Sequence, residues 1–338
     1  MRSSSTPPPA LLASLYAAAM LGLPVMLSLL LTIREPVAQT EYPTRPIRLV
    51  VGFGPGTSPD IVARMLGDKL FQAWGQPIVI ENVTGAAGNI AGERVARAEP
   101  DGHTLLLAVN SGVAINPILY EKMSYDPVRD LAPISQVCSY ANILVVSNDV
   151  AAGNLQELVA LARAQPGALT YGSAGIGTTL HLAGELLRSM AKIDIRHVPH
   201  RGNVFSLEVV AGRISMMFGP PTGMLPLARE GKVRALAVTS SRRHPGAPDL
   251  PTMAESGFAD FDVTVWFGLM APAKTPPATI EKLHREAARI LALPEMRKRF
   301  DELGIEPIGN SPAEFSAALK AEISKWAKVI ADAGVKLD

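Results

Sequence analysis

Residues 47–70 read IRLVVGFGPGTSPDIVARMLGDKL, and the order of their parts decides the fold class. Ile47 to Val51 is apolar throughout except for Arg48, the pattern of a strand buried on both faces. A glycine-rich loop, Gly52-Phe53-Gly54-Pro55-Gly56-Thr57-Ser58, follows it. Ser58-Pro59 then offers an N-cap and a first-turn proline. Ile61, Val62, Met65, Leu66 and Leu70 recur at helical spacing, and Gly75 stops the helix. A buried strand that passes through a glycine loop into a helix is the building unit of an α/β sheet.

The same alternation continues outward from this stretch. Pro77 to Ile80 reads as a second strand, and Gly85 to Gly88 leads into a helix through Val95. Pro100-Asp101-Gly102 is a turn before the buried strand Thr104 to Val109. Ile143 to Val146 is a strand, and Asn154-Leu155-Gln156-Glu157 opens the next helix as a variant capping box. Leu169 to Gly172 and Val233 to Val238 are further strands. One terminal helix runs from Ala278 to about Leu293. The last begins at Ser311-Pro312-Ala313-Glu314, a capping box with proline at the first helical position, and ends at Gly334. No short-period repeat appears, which excludes a solenoid.

The chain has 338 residues, enough for two cores. An apolar content of 48% with 19% charged residues excludes a disordered chain. Lys plus Arg number 32 against 31 acids, and aromatics make up 5%. Neither a basic field nor a stacking surface for nucleic acid is present. The single cysteine, Cys138, permits no intrachain disulfide and reads as a small strand residue.

The first forty residues differ from the rest. Arg2 precedes an uncharged, Leu- and Ala-rich run from Ser3 to Ile33, then Arg34, Glu35 and the small-residue segment Pro36-Val37-Ala38-Gln39. This order predicts a secretory signal over residues 1–39, removed near Ala38 or Gln39. The run exceeds the usual length of about 7–15 residues, so retention as an N-terminal anchor is the alternative. No cysteine ends the run to carry a lipid.

Two more loops resemble the first: Thr84-Gly85-Ala86-Ala87-Gly88-Asn89 and Ser173-Ala174-Gly175-Ile176-Gly177-Thr178-Thr179. Glycine lets a backbone approach a ligand, and a helix start presents unpaired N–H groups to an anion. In open α/β sheets such loops lie where ligands bind. Enzymatic readings fail on spacing. Gly52, Gly54 and Gly56 leave Thr57 where a dinucleotide loop needs its third glycine, and no phosphate-binding lysine loop exists. Tyr171-Gly172-Ser173-Ala174-Gly175 misses the nucleophile elbow by one position, so Ser173 reads as a hydroxyl donor. A serine hydrolase pairing Ser173 with His181 would still need a nearby acid and an oxyanion pocket. His197 and His200 lie three apart with Pro199 between them and no carboxylate motif, so neither a metal nor any cofactor is expected.

With these loops in place, the sequence resembles the periplasmic solute receptors of tripartite tricarboxylate transporters, the Bug or TctC-like family, from Tyr42 to Asp338. The resemblance rests on Tyr42-Pro43-Thr44-Arg45-Pro46-Ile47, on Phe53-x-Pro55-Gly56 with Asp60, and on Asp101-Gly102-His103-Thr104-Leu105-Leu106. Asn116-Pro117, Tyr125-Asp126-Pro127 and His181-Leu182-Ala183-Gly184-Glu185 follow in order. Val198-Pro199-His200-Arg201-Gly202, Arg234-Ala235-Leu236-Ala237-Val238-Thr239, Pro248-Asp249-Leu250-Pro251-Thr252 and Trp266-Phe267-Gly268 complete it.

The resemblance implies a two-lobed flytrap of the type II-like periplasmic binding protein fold, each lobe a sheet flanked by helices. Lobe 1 is expected over 42–142 plus 271–338 and lobe 2 over 143–270, with a two-strand hinge near Ile143 to Val146 and Trp266 to Met270. It implies a receptor, monomeric and without enzymatic activity, that captures a small organic acid and serves integral-membrane transporter subunits. A role as the sensing subunit of a membrane signalling protein is the alternative. The ligand-binding residues it implies are Phe53, Gly56, Thr57, Ser58 and Asp60 of the first loop, Asn110 and Ser111, then Ser173, Thr178, Thr179 and His181, with Arg201 and Gly219. The chain departs from the family pattern at several positions. Gly52 stands for a common proline, Thr57 for a common glycine, and Asn82-Val83-Thr84-Gly85 lacks the usual arginine. His200 takes an aromatic position. Gly219 stands where amino-acid-binding members carry an aspartate, which speaks against an amino-acid ligand.

Overall fold

β3 (Thr104–Val109) is buried along its whole length: strands pair with both of its edges, and helices pack on the faces to which its side chains point. The computed structural model describes residues 42–200 and 204–334, and from Arg45 onward the chain forms a unit of its own. The expected signal over 1–39 and the candidate Arg201 lie outside the described residues.

The strands fall into two sheets. The first contains β1 (Ile47–Val51), β2 (Ile78–Asn82), β3, β4 (Leu131–Ala141), β10 (Thr264–Pro272) and β11 (Glu306–Pro307), in the order β11-β4-β10-β3-β1-β2. The second contains β5 (Ile143–Val146), β6 (Thr170–Ser173), β7 (Arg196–Pro199), β8 (Met216–Gly219) and β9 (Arg234–Val238), in the order β7-β6-β8-β5-β9. β1 runs parallel to β2 and β3, and β6 parallel to β7 and β8. β10 is antiparallel to β3 and β4, and β5 to β8 and β9. This is the two-lobed α/β flytrap. β10 pairs with β4 from Thr264 to Pro272, so the sheets divide between Val263 and Thr264, not at Met270. The other crossing is Asn142, between β4 and β5.

Helices cover the sheets: α1 (Ser58–Trp74), α2 (Asn89–Ala96), α3 (Leu155–Ala164), α4 (Thr179–Ala191), α5 (Val204–Val210), α6 (Pro221–Arg229), α7 (Pro277–Ala292), α8 (Pro294–Glu302) and α9 (Pro312–Ala333), besides shorter turns. α1 starts one residue before the sequence signal suggests: Thr57 is extended and caps it, while Ser58 is already helical. Its C-terminus ends as expected on Gly75, at φ 68°, whose N–H bonds the Phe71 carbonyl. α9 has the complete capping box of Ser311 and Glu314 and stops at left-handed Gly334.

α9 serves both lobes. Phe315 and Leu319 near its start join the core cluster of Val50, Leu106, Trp266 and Met270. Trp326 and Ile330, three turns on, join the cluster of Ile143, Leu182 and Phe218. Trp266 meets Phe315 edge-on, with ring centroids 5.4 Å apart.

Candidate functional site

The first and third glycine loops are the same motif built twice. Gly54-Pro55-Gly56-Thr57-Ser58 starts α1, and Gly175-Ile176-Gly177-Thr178-Thr179 starts α4. Gly56 and Gly177 both sit at left-handed φ, 77° and 80°, a conformation that disfavours any residue with a β-carbon. Thr57 and Thr178 are extended N-caps with nearly equal angles, φ −77° and ψ 159° against φ −75° and ψ 155°. Each hydroxyl donates to the carbonyl three residues earlier, Gly54 or Gly175, at 2.7 Å. The shared Gly-x-Gly-Thr pattern stands in the sequence, but aligning the two loops is what reveals it.

The acceptors below the two loops differ. In the first, the Gly56 N–H donates to the Asp60 carboxylate at 2.9 Å. In the second, the Gly177 N–H donates to His181 Nδ1 at 3.4 Å. Burial alone would raise the Asp60 pKa, but hydrogen bonds from Arg64, Gly56 and Asn82 outweigh it and hold the group below the ordinary carboxylate value. Arg64 binds it with Nε at 3.1 Å and a terminal nitrogen at 3.0 Å, and Asn82 donates at 3.0 Å. Both oxygens of Asp60 are therefore occupied within the loop. His181 is pushed down by burial, and its Nδ1 serves as an acceptor, so the ring is neutral with its proton on Nε2.

Between the loops lies a cavity of about 70 Å³, more than one water needs. Of the residues expected at a ligand site, Phe53, Thr57, Ser58, Ser111, Thr178 and Thr179 line it. They come from both lobes. The others take different places. Gly56 and Asp60 shape the first loop, and His181 supports the second. Asn110 ties the end of β3 to the start of β10, donating to the Thr264 carbonyl at 3.0 Å. Ser173 is fully buried; its hydroxyl accepts from the Gly175 N–H at 3.1 Å and lies 2.7 Å from His197 Nε2. Gly219 is not among the residues that line the cavity, and a β-carbon there would meet Met217 and Met224 side chains at 2.6 and 2.8 Å. Its neighbour Pro220 lines the cavity instead.

Tyr140, Phe205, Val265 and Phe267 also line the cavity, and Tyr140 meets Phe267 edge-on at 5.7 Å. They carry no local signal of a site. Tyr140 and Phe267 sit on β4 and β10 beside the crossing between lobes, and Phe267 by sequence is an ordinary strand residue.

The same geometry argues against hydrolysis. The histidine beside Ser173 is His197, not His181, and the two rings lie tilted by 36° with centroids 4.3 Å apart. Burial and the neighbouring His181 push His197 down to about 4, which makes it a weak general base near neutral pH. The acid nearby, Glu185, is engaged by the Tyr171 hydroxyl at 2.6 Å and by Arg188. Among the described residues no group of three or more His, Cys, Asp or Glu could hold a metal ion.

Residues 62–335 match the model of the tripartite tricarboxylate transporter family receptor. BugT of Bordetella pertussis is 33% identical over 307 residues, which cover 90% of this chain and 94% of BugT. The structure of R. palustris Rpa4515 with adipate superposes with a TM-score of 0.84 at 33% identity, over 88% of this chain and 99% of that one. MatC of Rhodopseudomonas palustris with bound malate gives a TM-score of 0.80 at 32% identity, over 86% of this chain and 100% of that one. A match over most of the chain, with the doubled loop at the junction of two lobes, leaves one assignment: this chain belongs to the tripartite tricarboxylate transporter family of solute-binding receptors and is not an enzyme.

Proposed function

We propose that this receptor captures a small organic acid in the periplasm and presents it to the integral-membrane subunits of a tripartite transporter. The observation that carries this reading is the doubled Gly-x-Gly-Thr loop, which aims two helix starts at one cavity. The first N–H groups of a helix have no partner within it and carry part of the helix dipole's positive end. The hydroxyl protons of Thr57 and Thr178 are committed to Gly54 and Gly175, so those oxygens can only accept. The donors left for a carboxylate are first-turn N–H groups of α1 and α4, the hydroxyl of Thr179, and one hydroxyl of the bonded pair Ser58 and Tyr140. The adipate and malate of Rpa4515 and MatC support the same ligand class.

Capture then works by closure. One lobe comprises 45–141 and 264–334, the other 143–263, and they turn about Asn142 and the Val263–Thr264 crossing. A ligand that bonds both helix starts stabilises the closed arrangement through contacts that neither lobe makes alone. The segment 1–39 directs export, Arg201 takes part in ligand binding, and the receptor acts as a monomer.

Titration calorimetry of the mature chain against a panel of organic acids, amines and neutral sugars tests this reading. Acids alone should bind, and no product should form. Binding confined to amines or sugars would overturn it.

A further inference from the structure

The wall of the cavity is hydrophobic apart from its hydroxyls. Phe53, Val109, Leu180, Phe205, Val265 and Phe267 all line it, from both lobes. Phe267 has no exposed surface and Phe205 only 2%, so Phe267 backs the wall, while the half-buried Phe53 presents its ring to the cavity. The polar lining consists of hydroxyls: Thr57, Ser58, Ser111, Thr178, Thr179 and Tyr140. Most are already engaged, Ser58 and Tyr140 with each other. Thr57 and Thr178 donate to loop carbonyls, and Ser111 donates to the Ala87 carbonyl at 3.2 Å.

Among the described residues, the carboxylates near the loops are spent in the same way. Asp60 is saturated by Arg64, Gly56 and Asn82, and Glu185 by Tyr171 and Arg188. Neither carboxylate is left to receive a ligand ammonium. The site thus offers one anion cradle and, beyond it, a surface that rewards apolar area. A polar or charged group placed against that surface gives up its water without gaining a partner.

We infer that the ligand carries its carboxylate on an apolar body, an aryl or medium-chain alkyl acid, and that Phe53 and Phe205 select it. This rests on the acid-binding reading above and narrows it. The available space exceeds what one water needs. Hydroxy-dicarboxylates and amino acids present the wrong groups to the wall.

Calorimetry on the mature receptor with four probes decides the matter: benzoate, hexanoate, malate and glutamate. Benzoate or hexanoate should bind at least about tenfold more tightly than malate, a difference of about 1.4 kcal/mol, with glutamate weakest. Malate or glutamate binding as tightly as both apolar acids would overturn the inference and leave the acid-binding role intact. If none of the four binds while an amine or a sugar does, the acid-binding role fails and the inference falls with it. Phe205→Leu keeps an apolar side chain and supplies a second reading. It should weaken benzoate several-fold and malate little; an equal loss for both would show that the ring does not contact the ligand body.

Discussion

The Gly56 N–H donates to the Asp60 carboxylate at 2.9 Å, four residues along the chain, and this bond fixes the loop that starts α1. The carboxylate sits at the helix N-terminus, where a negative charge is favoured. Asp60 therefore organises the cradle without touching the ligand space. Asp60→Asn keeps the shape but turns an amide toward Arg64, and should lower stability by about 1–3 kcal/mol as well as weaken ligand binding. Because the folded-state pKa of Asp60 lies below its unfolded value, its contribution is present above the unfolded pKa and is lost as pH falls through the folded one. Thermal melts from pH 6 down to pH 2 should show wild type losing stability at the acid end, and Asp60→Asn losing less of it.

Thr179 and Thr178 are neighbours with different tasks. Thr179→Ala removes a hydroxyl that lines the cavity, so affinity should fall by about ten- to a hundredfold, the worth of one hydrogen bond to a charged group, while the melting temperature changes little. Thr178→Val removes the 2.7 Å bond to Gly175 and the cap on the His181 N–H. That change should cost about 1 kcal/mol of stability and reduce affinity by loosening the loop. Calorimetry paired with thermal melts separates the two. Wild-type affinity in Thr179→Ala would place the ligand elsewhere.

Gly177 meets the opposite lobe. A β-carbon there would lie 2.9 Å from Asn116 Oδ1, and the residue holds φ 80°. Gly177→Ala combines a left-handed strain of roughly 1–2 kcal/mol with a clash across the cleft. Affinity should drop more than stability, since the clash acts where the lobes meet. Gly223→Ala is the control: the added carbon meets open space in α6, and both readouts should stay near wild type.

His197 supplies a second pH dependence. Burial, together with His181, holds its pKa at about 4, below the free value near 6.5. The unfolded chain binds the proton first, so stability should rise as pH increases from about 4 to 6.5 and be complete above that range. His197→Gln retains a side-chain amide near Ser173 and should flatten this part of the curve. A melt profile with the same slope in wild type and variant would show that the ring does not titrate across this range.

Trp326 packs in the core of the second lobe from a helix whose start packs in the first. Trp326→Ala should cost about 3–5 kcal/mol, read by denaturant unfolding. The loss should be only partly recovered by a saturating ligand.

Much of this architecture is written locally. Ile47–Val51 is apolar except at Arg48, the one exposed position of an otherwise buried strand, and Gly75 and Gly334 end their helices because left-handed closure needs no β-carbon. The capping box at Ser311 and Glu314 is closed by residues three apart. The Gly-rich loops before α1 and α4 were legible for the same reason, since a helix start is built from consecutive residues. What each group does there was not. Asp60 stands at a helix start in either reading, yet only folding brings Asn82 and Arg64 to fill its oxygens. Ser173 looks available until His197 and Gly175 occupy its hydroxyl, and Gly219 looks open until Met217 and Met224 fill the space beside it. The wall of Tyr140, Phe205, Val265 and Phe267 came from the tertiary structure alone. Strand periodicity tells which face a side chain takes, but the pairing of β10 with β3 and β4 and the crossing at Asn142 decide what that face meets.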